Sequence, residues 1–140
     1  VTVVEAHGGK RVGIVLVSHS KEVADSTARL AAGLAGVPDA LVAGAGGLPD
    51  GSLGTSEELI VEAARRMDEG AGVALLADLG SAVLTVKTLL AEGDELPEPA
   101  RLVDAPLIEG AVAAVVTAAG GGDLDTVAAA AEEAYTYRKL

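Results

Sequence analysis

The chain of 140 residues is half apolar and carries a formal charge of −11, with ten basic residues against twenty-one acidic ones. That length and apolar content are enough for one domain with its own core. The charge repels a nucleic-acid backbone, and no basic stripe or interleaved aromatic residues offset it. Cysteine is absent, so disulfides, thiolate catalysis and thiolate metal sites are excluded; with only His7 and His19 as imidazoles, no metal site is expected. Phe and Trp are also absent, so Val, Leu and Ala must fill the interior around two tyrosines, Tyr135 and Tyr137.

Residues 1–11 form a polar lead and residues 12–140 read as one domain without internal repeats. The run 12–17 is short, β-branched and apolar on both faces, as a buried parallel strand should be. It ends at Ser18-His19-Ser20. From 20 to 34 the pattern turns helical, with Val23, Thr27, Leu30 and Leu34 recurring at three- and four-residue intervals until Gly36, Val37 and Pro38.

A second strand is expected over 40–44, followed by a loop over 46–54 that is rich in Gly and Pro. Thr55-Ser56-Glu57-Glu58 has capping-box spacing, with Thr55 as the cap of a helix reaching about Glu69. Residues 72–78 read as a third buried strand closed by Leu79-Gly80-Ser81, then a helix through Ala82, Leu84, Val86, Leu89 and Leu90. After an acidic, proline-bearing break, a fourth strand is expected over 101–104 and a small-residue helix over 109–119. Gly120-Gly121-Gly122 separates it from a last helix over 124–137.

Strands alternating with helices imply an α/β fold: a single-domain three-layer α/β/α sandwich with a mainly parallel central sheet. Functional groups in such sheets gather outside the carboxyl ends of strands, where strand order reverses. His19 and Asp78 fall at such ends. No apolar run reaches the roughly 18 to 20 residues needed to cross a bilayer. No basic leader opens the sequence, so a cytoplasmic location is expected.

Several motifs fail. Gly44, Gly46 and Gly47 imitate a dinucleotide fingerprint, but they follow the second strand and Pro49 stands where the third glycine is required. No phosphate-cradling Gly-x-x-x-x-Gly-Lys-Ser/Thr loop is present. Ser18, Ser20 or Ser81 can be grouped on paper with His19 and Asp78 as a hydrolase triad, but none sits in a Gly-x-Ser-x-Gly elbow. A receiver domain phosphorylated on Asp78 would need acidic metal ligands at the end of the first strand, where Ser18-His19-Ser20 stands.

A histidine at a strand end, directly before a helix amino terminus, is a natural seat for phosphohistidine, because free amides and the helix dipole favour an anion. An imidazole is an able nucleophile near neutral pH. Asp78 can hold the ring nitrogen that does not attack, and the amides at Gly80 and Ser81 can approach the same phosphoryl oxygens. His7 has no such surroundings.

Residues Gly13-Ile14-Val15-Leu16-Val17-Ser18-His19-Ser20, Leu53-Gly54-Thr55, Asp78-Leu79-Gly80-Ser81-Ala82 and Ala105-Pro106-Leu107-Ile108-Glu109-Gly110 together resemble the phosphotransferase subunits of PEP-dependent dihydroxyacetone kinases. That family is similar in fold to the IIA domain of mannose-type sugar phosphotransferase systems, usually a homodimer. The resemblance implies His19 as phosphoacceptor, the phosphocarrier HPr as donor, and ADP held by the kinase subunit as acceptor. It places ADP and magnesium in that partner, with no cofactor bound by this chain. Ser20, Thr55, Gly80 and Ser81 are the expected phosphoryl neighbours, and the turn 106–110 is expected to border the same pocket. HPr and enzyme I segments, fused in some members, are not in this sequence, so the donor is expected to be separate or part of a longer chain. A sugar-transport IIA domain is the nearest alternative, although its third strand typically leads into a Gly-Gly-Ser/Thr-Pro type sequence rather than Leu79-Gly80-Ser81-Ala82. A regulatory phospho-domain is the other.

Overall fold

The computed structural model describes residues 9–37 and 41–140. Within them the chain runs β1 (Gly13–Ser18), α1 (Lys21–Ala35), β2 (Val42–Gly46), α2 (Glu57–Met67), β3 (Val73–Ala77), α3 (Gly80–Glu92), β4 (Ala100–Leu102), α4 (Leu107–Ala119) and α5 (Leu124–Glu133), then a 3-10 turn over Ala134–Thr136. The strands form one parallel sheet in the order β2-β1-β3-β4. Each parallel step requires a helical crossover, which is why strand and helix patterns alternate in the sequence.

Alternation along the strands divides the core in two. Ile14 and Leu16 of β1, with Ala74 and Leu76 of β3, face the layer of α1, α4 and α5. Val15, Val17, Val73 and Leu75 face α2 and α3. All eight are buried. Both faces of the two central strands are therefore covered, which explains why their sequences are continuously apolar rather than alternating. This is the expected three-layer α/β/α sandwich.

The helical faces depart from the sequence reading. On α1 the buried residues are Ala24, Thr27, Ala28, Ala31 and Ala32, whereas Val23, Leu30 and Leu34 of the expected apolar stripe are exposed. Leu84 of α3 is likewise exposed. For α1 the cause is its close approach to the sheet. A Cβ at Gly44 would lie 2.8 Å from the backbone carbon of Ala24, and one at Gly46 would lie 2.3 Å from the carbonyl oxygen of Ser20. Only small side chains fit between such surfaces, so alanine takes the inner face.

The same contact corrects β2. Its glycines read as the beginning of a loop, yet the strand extends through Gly46 because glycine inside a strand permits another backbone to approach. The expected Thr55 cap is also displaced by one residue. Ser56 is the N-cap of α2 and its hydroxyl accepts from the Leu59 amide at 3.2 Å. Thr55 instead bonds Thr85 across to α3 at 3.0 Å. Two adjacent hydroxyls suit a helix start equally well, and the tertiary partner decides which one caps. Smaller shifts affect β4, which spans 100–102, α4, which begins at Leu107, and α5, which stops at Glu133 before the 3-10 turn.

Substituting Gly46→Ala should destabilise the domain by roughly 1–3 kcal/mol, because the added carbon must push the first turn of α1 off the sheet. A urea-unfolding midpoint equal to that of the native chain would contradict this packing.

Candidate functional site

In the order β2-β1-β3-β4 the chain leaves β1 toward one edge and later returns to its other side as β3. The reversal opens a crevice beyond the carboxyl ends of these two strands. Val17 of β1 pairs with Ala77 of β3, so the next residues, Ser18 and Asp78, come side by side. His19 follows directly.

Asp78 gathers this corner. One carboxylate oxygen, Oδ2, accepts from the Ser18 hydroxyl at 2.9 Å and from the His19 amide at 3.0 Å. The other, Oδ1, lies 3.0 Å from His19 Nδ1 and accepts from the Leu79 amide at 2.7 Å. Asp78 is therefore not the cap of α3, whose N-cap position is Leu79 and which has no side-chain cap. Burial alone would raise the carboxyl pKa, but the donors from His19, Ser18 and Leu79 outweigh it and hold the group below its ordinary value. An ionised Asp78 can only accept, so Nδ1 carries the proton and Nε2 presents its lone pair.

Nε2 meets the hydroxyl of Ser81, in the first turn of α3, through a short hydrogen bond. The order Ser81, His19, Asp78 is that of a hydrolase triad, but Ser81 lies inside a helix rather than on a strained elbow. The side chains of His19 and Asp78 are 25% and 16% exposed, accessible enough for a partner while largely shielded from bulk water. α3 begins without a side-chain cap, unlike α1, α2 and α5, which are capped by Ser20, Ser56 and Asp123. Its first amides remain available to an anion near Ser81.

The other sequence candidates occupy varied positions. Ser20 caps α1, its hydroxyl accepting from the Val23 amide at 3.2 Å. Gly80 opens α3, and a Cβ there would meet nothing within 4 Å, so no close approach demands glycine. Gly54 donates its amide to the His19 carbonyl at 2.9 Å, which brings the 53–55 segment beside the histidine backbone. Thr55 reaches the site only indirectly: Thr85, its partner, donates to the Ser81 carbonyl at 3.0 Å. Pro106 and Leu107 line a cavity of about 490 Å³ together with Asp78, Leu79 and Gly80, so this turn borders the Asp78 side of the site. The Gly110 close approach is to Ala105 and Leu76 instead. His7 lies outside the described residues. Ser18 and Thr85 also belong to this network. Their only signal is tertiary, the β1/β3 register for Ser18 and the packing of α3 beside the 53–56 segment for Thr85.

Among the described residues no three His, Cys, Asp or Glu side chains are grouped to hold a metal ion, and no helix is long and apolar enough to cross a membrane. Because the folded-state pKa of Asp78 lies below its unfolded value, the stability it supplies is complete above the unfolded carboxyl range and is lost as pH falls through the folded value. The stability difference between the native chain and Asp78→Asn should therefore shrink as pH is lowered from about 5 to about 2, followed by urea unfolding. A difference independent of pH would show that the carboxylate charge is not what the fold uses.

Residues 13–128 match the family model of the PTS system fructose IIA component. Among curated proteins, the chain is 36% identical over 126 residues to the PEP-dependent dihydroxyacetone kinase phosphoryl donor subunit DhaM of Providencia stuartii, covering 88% of this chain and 26% of that protein. It is 34% identical over 119 residues to DhaM of Escherichia coli, covering 83% of this chain and 25% of that protein. The chain thus spans about a quarter of the length of these relatives. A DhaM of Listeria innocua, 34% identical, is matched over 75% of this chain and 84% of its own length. Among solved structures, the unknown-function protein EF1359 superposes with a TM-score of 0.77 at 32% identity, covering 89% of this chain and 95% of that one. A sigma-54 interaction domain protein from Enterococcus faecalis, at 17% identity and a TM-score of 0.65 over 92% and 93% of the two chains, shares the fold. The family match over residues 13–128, with relatives that agree in sequence and in fold over most of its length, shows that this chain belongs to the PTS fructose IIA component family.

Proposed function

We propose that this chain is a phosphocarrier of a PEP-dependent dihydroxyacetone kinase, accepting a phosphoryl group on Nε2 of His19 and passing it to ADP in a kinase subunit. The observation that carries this reading is the histidine itself: Nδ1 is tied to an ionised Asp78 while Nε2 faces Ser81 at the uncapped start of α3. The names of the DhaM relatives supply the metabolic context.

The donor is HPr carrying a phosphohistidine. As Ser81 swings aside, the Nε2 lone pair attacks phosphorus, the N–P bond of the donor breaks, and the donor imidazole leaves with its electron pair. Positive charge grows on the His19 ring as the bond forms. Asp78 stabilises that charge through Nδ1–H without taking the proton. The Ser81 hydroxyl, released from Nε2, and the amides of Gly80 and Ser81 then donate to phosphoryl oxygens. Ser20 flanks the group from the start of α1, and Thr55 contributes by supporting Thr85 and the first turn of α3. In the second half-reaction the N–P bond at His19 breaks as an oxygen of the ADP β-phosphate attacks. ADP and magnesium belong to the kinase partner, so this chain needs only to present a nucleophile that is also a good leaving group. The setting is cytoplasmic, where PEP and nucleotide are at hand.

The family model's fructose IIA description supports a second reading, a sugar-transport IIA domain that hands phosphate to a IIB domain. The acceptor discriminates the two. With enzyme I, HPr and radiolabelled PEP, the native chain should gain an acid-labile, base-stable label, as phosphohistidine does; phosphoserine would resist acid, so the same assay separates His19 from Ser81. His19→Ala should abolish the label, His7→Ala should keep it, and Asp78→Asn should slow it by on the order of tenfold to a hundredfold. Adding ADP-loaded kinase subunits and dihydroxyacetone should discharge the label into dihydroxyacetone phosphate. Full labelling of His19→Ala would overturn the mechanism, and discharge only to a IIB domain would favour sugar transport.

We also propose that the chain works as a homodimer. Leu30 and Leu34, one helical turn apart on α1, and Val116 on α4 expose apolar surface that the sandwich does not cover. Light scattering at micromolar concentration should give twice the chain mass, and Leu34→Glu should return it to the monomer value. A monomeric native chain would refute this assembly.

A further inference from the structure

We infer that Ser18 is a positioning residue for phosphotransfer, acting through Asp78 to keep the reactive tautomer of His19. The inference rests on the reading of His19 as phosphoacceptor.

Ser18 is a polar side chain at the end of a buried strand, with 0% of its surface exposed. Its hydroxyl cannot be a nucleophile from there, yet it is fully engaged. The Ser20 amide donates to Ser18 Oγ at 3.1 Å, and Ser18 Oγ donates to Asp78 Oδ2 at 2.9 Å. With the amide on its lone pair, the hydroxyl proton is directed to the carboxylate. One side chain thus joins the N-cap residue of α1 to the carboxylate at the end of β3.

A carboxylate offers about four lone-pair sites, and Asp78 fills them with four donors. Two of these are backbone amides, at His19 and Leu79, and a third is the His19 ring. Among the described residues, Ser18 is therefore the only side chain besides the phosphoacceptor that fixes the Asp78 plane. Two consequences follow for the chemistry. A fixed plane keeps Oδ1 in line with Nδ1, so the proton stays on that nitrogen and Nε2 stays basic. Donation from Ser18 also keeps the carboxylate ionised while the ring becomes positively charged, which holds the proton on Nδ1 as the N–P bond forms.

Potassium phosphoramidate tests this without protein partners. The His19 Nε2 lone pair attacks phosphorus, the P–N bond of phosphoramidate breaks, and the nitrogen leaves as ammonia. Ser18→Ala should react about tenfold more slowly per folded molecule. The carboxyl of Asp78, followed by carbon-13 NMR, should titrate at higher pH, and nitrogen-15 shifts of His19 should move from the Nδ1–H tautomer toward a mixture. Ser18→Thr, which returns the hydroxyl, should restore all three. Where Ser18→Ala does not fold, Ser18→Cys keeps a small side chain but only a weak donor, and the same changes are expected. A folded Ser18→Ala or Ser18→Cys with native rate, native Asp78 titration and native tautomer would overturn the inference, whatever its loss of thermal stability. If the native chain gains no label on His19, the proposed function fails, while the two NMR readouts still decide the role of Ser18.

Discussion

The carboxylate of Asp78 takes two hydrogen bonds on each oxygen, and the remainder of the site is arranged around that saturation. A partly buried carboxylate is costly unless its oxygens are satisfied, and each donor here also fixes something else. The His19 amide sets the direction in which the chain leaves β1. The Ser18 hydroxyl ties that strand to the start of α1, and the Leu79 amide turns the chain into α3. The ring nitrogen of His19 is the fourth donor, so satisfying the charge and selecting the imidazole tautomer are one event.

Sheet order makes this possible. In the order β2-β1-β3-β4 the first and third strands are neighbours, although sixty residues separate Ser18 from Asp78. Parallel pairing then brings their carboxyl ends to the same side of the sheet, and the register places position 18 beside position 78. The hydrogen-bonded loop after β2 adds a second support. Gly47 donates to the Ser18 carbonyl at 3.1 Å and Gly54 to the His19 carbonyl at 2.9 Å, bracketing the histidine backbone. An imidazole held in this way keeps one orientation, as a preorganised site requires.

Packing density explains a second group of choices. The glycines of β2 bring α1 within direct contact of the strand backbone, and the alanines of α1 complete that contact. In return the start of α1, with Ser20 as its cap, is set against the end of β2 beside the site. Larger side chains such as Leu30 and Leu34 are thereby turned outward. The same glycines that imitate a nucleotide-binding fingerprint in sequence thus serve helix-to-sheet packing.

The fold class and the placement of His19 and Asp78 at strand ends were legible in the amino-acid sequence, because short continuous apolar runs broken by helix starts are properties of local composition. The sequence also carried the four ordered segments that resemble the phosphotransferase subunits. It did not determine which face of α1 is buried, since helical spacing orders residues around an axis but does not say how closely the neighbouring backbone approaches. Nor did it separate Ser56 from Thr55 as a cap, because both hydroxyls satisfy the local rule and only Thr85, thirty residues away, claims one of them. The role of Ser18 was hidden for the same reason. A serine at a strand end is locally unremarkable, and only the register between β1 and β3 turns its hydroxyl into a donor to a carboxylate distant in sequence.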